Sequence, residues 1–408
     1  MNSFIMIGVR QNMNYRIITA HDYLTQKGGA ERVALELLRA TNSEYLITAF
    51  YSKKDTFPEC RNFNIKTSIM NNIGIFRSDP RFALLLLPII WSCRRPIAAD
   101  AVVCSSSGWA HGIPVAAGVH KVVYCHNPPR WLYQPEDYFI GKKKVLRNFI
   151  KSVHPFLFAW DQRAAHSADI YIANSTSVAK RIRDVYGIRS EVVFPPVCLD
   201  VNGPFEAIKA IEGPFFLTIG RARGYKGTRI LVDAFGRMPE QQLYIVGVAA
   251  INDCPDNVHP LGSVSDSQLR WLYANARALV SVSKEDFGLT PIEANAFGTP
   301  ALLLHFGGFL DSLDEGVTGL FIEDTSEECV VQAVKSFPDG WNRNLIKNHA
   351  RKFTPQEFGR KINAIVDRVI GGEKGKNPAG RDDMITRYQM DDASGRVNVG
   401  ISAYKGRV

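Results

Sequence analysis

One stretch in the second half of the chain constrains the fold more than any other. Residues 278–283 are apolar and largely β-branched and predict a buried strand, a short polar loop follows, and residues 301–305 predict the next strand. Between the two strands, Thr290 is typical of a helix N-cap, Pro291 of the first helical position and Glu293 of a capping box. Strand, helix and strand in this order form the repeating unit of a parallel α/β sheet.

This unit carries two carboxylates. Glu285 lies in the loop after the first strand, and the carboxyl ends of parallel strands line the ligand crevice of such a sheet. Glu293 falls in the first turn of the helix, where free N–H groups and the helix dipole favour an anion such as phosphate. Glu293 either closes a capping box and nothing more, or lines an anion site, and the stretch alone leaves both interpretations open.

The same alternation of strands and helices runs through both halves of the chain, and the Pro195-Pro196 pair between the halves predicts a domain boundary. We therefore expect two doubly wound, Rossmann-like α/β domains that face each other across a cleft. The expected boundaries are 14–195 and 196–352 for the domains, 353–370 for a last helix that packs back on the first domain, and 371–408 for a disordered tail.

Composition limits the function classes. The chain has 408 residues, a formal charge of +9 and a pI near 9.1, which favours anionic partners; no nucleic-acid-binding motif accompanies the charge. Seven scattered cysteines without a CxxC pair predict reduced thiols and a cytoplasmic protein. The first residues do not have the pattern of a secretory signal, and Met13 is an alternative to Met1 as the natural start.

Two stretches of the first half raise the question of a membrane. Residues 82–91 (FALLLLPIIW) are apolar but too short to span a bilayer, and they predict a buried helix or a membrane-surface contact. Lys142-Lys143-Lys144 precede an apolar, aromatic run, which is typical of a solvated basic face or of a segment lying on anionic lipid. Both alternatives stay open for each stretch.

Several loops at predicted strand ends could bind phosphate. The loop 220–227 places Arg221, Arg223 and Lys226 between glycines directly after a strand, although no Walker-type GK[ST] follows. The Gly28-Gly29 pair precedes a strongly amphipathic helix, and Gly307-Gly308 would let the backbone approach a ligand closely. No DxD with apolar flanks occurs, so we expect cations and helix N-termini, and no metal, to neutralise the phosphates.

Histidines follow two of the predicted strands. His126 comes directly after the strand at residues 121–125 and could serve as a general acid or base or donate a hydrogen bond to a hydroxyl. His21 occupies a comparable position. Trp109 and His111 are weaker candidates for lining the cleft. For each of them a purely structural role is the alternative.

Taken together, these residues resemble the retaining glycosyltransferases of the GT-B fold, in family 4 (group 1). The resemblance covers residues 15–370. The first half contributes the motifs Gly28-Gly29-Ala30-Glu31-Arg32, Tyr124-Cys125-His126-Asn127-Pro128-Pro129-Arg130 and Asn174-Ser175. The second half contributes Gly220-Arg221, Lys226-Gly227 and Glu285-Asp286-Phe287-Gly288-Leu289-Thr290-Pro291-Ile292-Glu293, with its two glutamates separated by seven residues.

The resemblance implies a site for a nucleotide-diphosphate sugar. Arg221 and Lys226 would hold the diphosphate, and Gly28 and Gly29 would approach it from the first domain. Glu293 would bind the ribose hydroxyls, Glu285 the donor sugar, and the backbone N–H groups of Phe287, Gly288 and Leu289 would face the sugar and phosphate. His126 would contact the sugar near the reacting carbon. The family usually has a Glu soon after its late glycine pair; here Phe309-Leu310-Asp311 follows, which puts that carboxylate's role in doubt.

The motifs HDYL…GGAER and YCHNPPR are most similar to those of the bacterial subgroup that builds O-antigen and exopolysaccharide repeats. This similarity implies a metal-independent hexosyltransferase without a cofactor. GDP-mannose is the favoured donor and a UDP-hexose the second candidate; the implied acceptor is a polyprenyl-diphosphate-linked glycan at the cytoplasmic face of the membrane. A nucleotide-sugar epimerase or sugar phosphorylase of the same architecture and a non-catalytic nucleotide-sugar binder are the alternatives.

Overall fold

The computed structural model describes residues 15–134, 144–220, 227–372, 387–390 and 397–400, without the side chains of 144–151, 387–390 and 397–400. The chain falls into a large unit that ends at Glu373 and a small unit beyond it. The strands are β1 (Ile17–His21), β2 (Leu46–Thr48), β3 (Ile65–Lys66), β4 (Ala101–Ser106), β5 (His120–Cys125), β6 (Ile170–Ala173), β7 (Ser190–Val192), β8 (Phe215–Ile219), β9 (Gln242–Val246), β10 (Val258–Gly262), β11 (Ala278–Ser281), β12 (Ala301–Leu304), β13 (Gly319–Ile322), β14 (Arg387–Met390) and β15 (Val397–Gly400).

The helices are α1 (Gly29–Ala40), α2 (Gly74–Ser78), α3 (Leu87–Ser92), α4 (Arg130–Tyr133), α5 (Lys144–Ala165), α6 (Thr176–Tyr186), α7 (Thr228–Gly236), α8 (Asp266–Asn275), α9 (Leu289–Ala296), α10 (Phe309–Ser312), α11 (Glu327–Lys335), α12 (Arg343–Ala350) and α13 (Pro355–Ile370). Short 3₁₀ segments lie at Pro58–Asn62, Ile69–Asn72, Pro80–Ala83, Ala110–Gly112 and Arg351–Phe353.

The first sheet has seven parallel strands in the order β3-β2-β1-β4-β5-β6-β7. Successive apolar residues of its strands point to opposite faces: Ile18 joins a core with Trp91 and Leu157, whereas Ile17 joins the core under α1. A sheet covered on both faces needs this continuous apolar pattern. The strand order reverses direction between β1 and β4, which is the topological switch point of the domain.

The second sheet has six parallel strands in the order β10-β9-β8-β11-β12-β13. Its switch point lies between β8 and β11, and separate cores cover its two faces. Leu302 packs in one core and its neighbour Leu303 in the other. The expectation of two doubly wound α/β domains is confirmed.

The chain passes between the two domains twice, and the two passages touch. The Val197 N–H donates to the Phe353 carbonyl at 2.8 Å. Beyond the second passage, α13 returns to the first domain, where Phe358 and Ile362 share a core with Val33 of α1. The Asn363 side chain donates to the Ala40 carbonyl at the end of α1 at 2.9 Å.

The apolar stretch 82–91 is α-helical only in its second half and is partly buried, so it has features of both expected alternatives. A 3₁₀ turn ends at Ala83, and α3 begins at Leu87 with Pro88 in its first turn, where a proline needs no amide hydrogen. Leu87 and Trp91 are buried, whereas Phe82 is 64% and Ile89 53% exposed. Among the residues that the structure describes, none of the helices has the length and apolar character to cross a membrane.

The small unit contains an antiparallel pair of strands, β14 and β15, in which Tyr388 lies opposite Val399 and Met390 opposite Val397. This pairing was not predicted from the sequence, which has little periodicity beyond Gly371. The other residues from 373 onwards lie outside the described ranges.

Candidate functional site

The candidate site lies where the two switch points face each other. The loops after β1 and β4 belong to the first domain, and those after β8 and β11 to the second. The two domains are close to each other here: a Cβ added to Gly29 at the start of α1 would lie 3.5 Å from Leu289 Cδ1 at the start of α9. Ligands of doubly wound sheets bind outside the carboxyl ends of the strands at such points.

Three helices at this cleft begin on a glycine. The N-caps are Gly28 for α1, Gly227 for α7 and Gly288 for α9, and none of these helices has a side-chain cap. Gly288 has φ +84°, and a Cβ there would lie 2.4 Å from the Phe309 ring, so a larger residue does not fit. Helix N-terminal N–H groups that no side chain caps are suited to bind an anion.

The loop 285–288 is held in place by the late glycine pair. The Gly308 N–H donates to the Glu285 carbonyl at 3.0 Å, and a Cβ on Gly308 would lie 2.1 Å from Phe287 Cα. The sequence indicated that Gly307-Gly308 admits a ligand; the group that approaches this backbone is instead the loop that carries Glu285. The Phe287 ring stacks on Phe194 at 5.5 Å, beside the chain passages between the domains.

Glu293 does not cap its helix. Because α9 begins at Leu289, with Gly288 as N-cap, Thr290 and Pro291 fall inside the first turn, and the predicted capping box was wrong. Glu293 instead accepts a hydrogen bond from the Tyr273 hydroxyl at 2.8 Å. Burial, together with the charge of Glu293, raises the pKa of Tyr273 well above its ordinary value, so the phenol stays protonated and continues to donate.

His126 is buried at the end of β5 and hydrogen-bonded to its neighbours. Its Nε2 lies 2.8 Å from Ser105 Oγ, and the same hydroxyl lies 3.0 Å from His21 Nδ1. Burial, with a smaller contribution from His21, lowers the pKa of His126 to about 3, so the imidazole is neutral at pH 7. A neutral imidazole can donate one hydrogen bond and accept another, but it provides no positive charge for a phosphate.

Trp109 and His111 belong to the core and not to the lining of the cleft. Trp109 stacks on Trp131 at 5.2 Å, and His111 lies between Ser106 and Asp161. Both side chains are less than 5% exposed. The expectation that they line the cleft was therefore wrong.

Three residues that hold the site together had no role assigned from the sequence, although the run Ser105-Ser106-Ser107-Gly108 was expected at a strand end facing the crevice. Asp22 accepts backbone N–H groups of the loop after β4, including that of Ala110 at 2.6 Å, and so fixes this loop at the switch point. Ser105 bridges the two histidines, and Tyr273 holds Glu293. Ser105 and Asp22 follow or end neighbouring parallel strands, and this pattern could have been used to predict their roles. Tyr273 lies within a helix, where no such pattern marks it.

Two carboxylates of the second domain contact the first. Asp286 accepts hydrogen bonds from Asn127 at 3.2 Å and from Arg181 at 2.5 Å, and its second oxygen lies 2.6 Å from Arg130 Nη2. Asp311 accepts from the Thr176 N–H and hydroxyl, both at 2.8 Å, and thereby caps α6. The carboxylate after the late glycine pair thus contacts the other domain.

Arg221 and Lys226 lie outside the described residues, as does the rest of the loop 221–226. The ends of this loop are described: the Gly220 N–H donates to the Val246 carbonyl at 2.8 Å, and a Cβ on Gly227 would lie 2.7 Å from Val282. Both ends therefore lie at the switch point of the second sheet. In the described part of the chain, no group of three or more His, Cys, Asp or Glu side chains could hold a metal ion.

Comparison with protein families gives two matches that follow one another along the chain. The model for Glycosyltransferase Family 4 matches residues 27–201, and that for Glycosyl transferases group 1 matches residues 204–353. The first half of the chain thus carries a family 4 glycosyltransferase domain and the second half a group 1 glycosyltransferase domain. This glycosyltransferase is 23% identical to alpha-1,3/1,6-mannosyltransferase ALG2 of Dictyostelium discoideum, over 84% of this chain and 96% of that protein.

Solved structures show the same fold. Sucrose-phosphate synthase from Thermosynechococcus elongatus superposes on the glycosyltransferase with a TM-score of 0.63 at 17% identity, over 87% of this chain and 99% of that one. Anabaena Alr3699/HepE in complex with UDP-glucose superposes with a TM-score of 0.62 at 15% identity, over 86% and 99%. The GT-B fold expected from the resemblance is thereby confirmed.

Proposed function

We propose that this protein is a retaining hexosyltransferase that moves mannose from GDP-mannose to a polyprenyl-diphosphate-linked saccharide in surface polysaccharide synthesis. The observation that carries the proposal is the meeting of α1 and α9, whose N-termini have no side-chain cap, at Gly29 and Leu289. Two helix N-termini that adjoin from opposite domains would suit the diphosphate of a nucleotide sugar.

In this proposal the chemistry is divided between the domains. Departure of the nucleotide places negative charge on the leaving phosphate, which the helix N-termini, Arg221 and Lys226 stabilise. Glu293, held by Tyr273, binds the ribose hydroxyls, and Glu285 binds the sugar. His126, neutral and fixed by Ser105, hydrogen-bonds the sugar near the anomeric carbon. The acceptor attacks on the face that the phosphate leaves, and no metal or cofactor takes part.

Two relatives bear on the donor. Mannose is favoured because the chain resembles a protein named as a mannosyltransferase over nearly all of that protein's length. A UDP-hexose is the second candidate, because a solved structure of the same fold contains UDP-glucose.

The first domain offers a surface for the lipid part of the acceptor. Consecutive elements between residues 69 and 89 expose apolar side chains, with Ile69 at 90% and Phe82 at 64%, and the exposed Arg81 and Arg95 lie nearby in the chain. An apolar surface with cations beside it fits an anionic membrane, so we place the protein at the cytoplasmic face. Lys142 and Lys143 lie outside the described residues, and nothing is described of the Lys144 side chain.

The donor is tested with purified protein and GDP-mannose, UDP-glucose and UDP-galactose, by measuring nucleotide release with and without a polyprenyl-diphosphate-linked glycan and with EDTA present. We expect acceptor-dependent release of GDP that EDTA does not abolish. Glu285→Ala and Lys226→Ala should reduce it at least about 100-fold, the order found for groups that stabilise transition-state charge. Glu328→Ala, which changes a 73% exposed surface carboxylate, should leave it intact. A mannosylated Glu285 trapped as an intermediate would contradict the same-face mechanism.

The alternatives give different results in the same assay. An epimerase converts the donor without releasing nucleotide, a phosphorylase needs inorganic phosphate, and a non-catalytic binder shows a thermal shift with GDP-mannose but no turnover. For the membrane, Phe82→Ser with Ile89→Ser should weaken binding to anionic vesicles. Leu345→Ser, which removes a 51% exposed side chain of the second domain, should not.

A further inference from the structure

We propose that Asp286 is a positioning residue for the transfer reaction: its carboxylate links the donor loop of the second domain to the His126 loop of the first. The inference rests on the proposed transferase function and assigns a role to a residue that lies between two members of the donor motif. We name Asp286 with Asn127, Arg130 and Arg181 the interdomain latch.

The latch joins three side chains of the first domain to one carboxylate, through two hydrogen bonds and an ion pair. Arg181 Nη1 lies 2.5 Å from Asp286 Oδ1, Asn127 Nδ2 lies 3.2 Å from the same oxygen, and Arg130 Nη2 lies 2.6 Å from Oδ2. Arg181 also donates to Asn127 Oδ1 at 2.8 Å, which orients the amide towards Asp286. Side-chain exposure of 20% for Asp286 and 21% for Arg181 leaves the pair partly screened from solvent, where charged hydrogen bonds are stronger than at an open surface.

The position of the latch relates it to the chemistry. Asn127 directly follows His126, and Asp286 directly follows Glu285, so the contact joins the neighbours of two proposed site residues. Within the second domain the same loop is fixed by the hydrogen bond from Gly308 to the Glu285 carbonyl. The Gly308 contact therefore sets the loop within its own domain, and the latch sets the distance between Glu285 and His126.

A rigid link of this kind affects reaction rate more than donor affinity. Most proposed donor contacts belong to the second domain and stay in place when the latch is broken. Groups displaced by about 1 Å in the reacting geometry can lose about 100-fold in rate. A cleft that opens more often also admits water, which competes with the acceptor for the sugar.

The test compares Asp286→Asn, Arg181→Met and the double variant with wild type, with Asp184→Asn as the control. Asp184 is a carboxylate on α6 that pairs with Lys180 within the first domain, 51% exposed, so its loss removes a charge without touching the latch. We expect kcat of transfer to fall about 10- to 100-fold in each latch variant, with the donor KM changing less than about threefold. The fraction of donor hydrolysed should rise, and Asp286→Glu should recover part of kcat.

The double variant should be no slower than the slower single variant, because both remove the same interaction. Additive losses, an unchanged kcat in Asp286→Asn, or losses that only follow the amount of folded protein would overturn the role of the latch. Small-angle X-ray scattering gives a readout independent of activity: Asp286→Asn should have a larger radius of gyration than wild type and Asp184→Asn. If wild type shows no transfer, the proposed function fails, and scattering alone decides on the latch.

Discussion

Helices in this protein begin in two ways, and the difference follows the position of the strand that precedes them. Among the helices of eight or more residues whose N-cap is described, α6, α8, α11, α12 and α13 have a Ser, Asn or Thr cap whose side chain accepts a backbone N–H. The others, α1, α7 and α9, begin on a glycine without a side-chain cap. These three follow β1, β8 and β11, the strands at the two switch points.

Both kinds of helix start occur within the same cleft. The N-terminus of α6 is capped by Ser175, and a backbone N–H of its first turn also donates to the carboxylate of Asp311 in the other domain. The protein therefore supplies a carboxylate from the other domain at α6. The first turn of α1 has its own Glu31, and the first turn of α9 has no acidic residue. A side-chain cap stabilises a helix by about 1 kcal/mol. The helices whose N–H groups face the site lack this stabilisation.

The largest expected effect comes from adding a second carboxylate, besides Glu31, to the first turn of α1. Gly29→Asp puts a carboxylate at the first helical position, where the added Cβ makes only ordinary contact with Leu289. Repulsion of the diphosphate should weaken GDP binding about 100-fold or more, measured by calorimetry, while the helix dipole favours the new charge. Gly29→Asn is the neutral control of equal size. Equal losses in the two variants would show that size, and not charge, matters at this position.

A smaller effect is expected from removing the Tyr273 hydroxyl. Tyr273→Phe deletes the hydrogen bond to Glu293 and so changes how this carboxylate is held beside α9. We expect affinity for GDP to fall about tenfold, in line with the loss of a hydrogen bond to a charged group. Tyr244→Phe is the control, since this tyrosine packs on Phe215 and His259 away from Glu293. An unchanged affinity for GDP would remove Glu293 from the nucleotide site.

The pH dependence of GDP binding tests whether the helix N-termini hold the phosphates without an imidazolium, since His126 is neutral. Because burial lowers its pKa to about 3, GDP affinity should not rise as the pH falls from 8 to 5. The unfolded chain takes up this proton near pH 6.5, so the contribution of His126 to stability is present above pH 6.5 and is lost as the pH falls towards 3.

At pH 5.5 that loss corresponds to about 1 kcal/mol relative to pH 7.5, measured by urea unfolding. His126→Gln has no such group and should lose correspondingly less stability between the two pH values. An increase of GDP affinity with a midpoint near pH 6.5 that disappears in His126→Gln would instead assign the phosphate to a charged His126.

The smallest effect on the site is expected from a change in α8, a helix that has a side-chain cap. Ser265→Ala removes the side-chain half of the α8 capping box, in which the Ser265 hydroxyl accepts the Gln268 N–H at 3.1 Å. The free energy of unfolding should fall by about 1 kcal/mol, with GDP affinity unchanged. A loss of GDP affinity would mean that helices with and without a side-chain cap differ less in function than their caps suggest.

The fold was predictable because it depends on local patterns. Apolar strands alternating with amphipathic helices indicate a doubly wound sheet, and Pro195-Pro196 separates two such sets. The α9 start was not predictable in the same way. Thr290, Pro291 and Glu293 have the sequence of a capping box, but the contact of Gly288 with Phe309 starts the helix earlier, and Tyr273 from the preceding helix takes the carboxylate. Tertiary contacts overrode the local pattern.

The latch shows the same limit at longer range. Asp286 meets Asn127 across 159 positions of sequence and Arg181 across 105, and no local periodicity encodes such a pair. The burial of His126 also depends on the whole domain, so its low pKa could not be inferred from its place after a strand. The close approach at Gly308 is to the backbone of Phe287 in the loop 285–288, and no local pattern encodes this contact either.

The touching chain passages between the domains have a mechanical consequence. Val197 and Phe353 are hydrogen-bonded, and the Phe194, Phe287 and Phe353 rings pack together beside them, so a rotation of one domain against the other would have its axis there. Displacement in a rotation grows with distance from the axis. Rings beside the axis would therefore move little when the domains swing, while the outer edges of the sheets would move furthest. The width of the cleft at those edges is the quantity that such a rotation would change most.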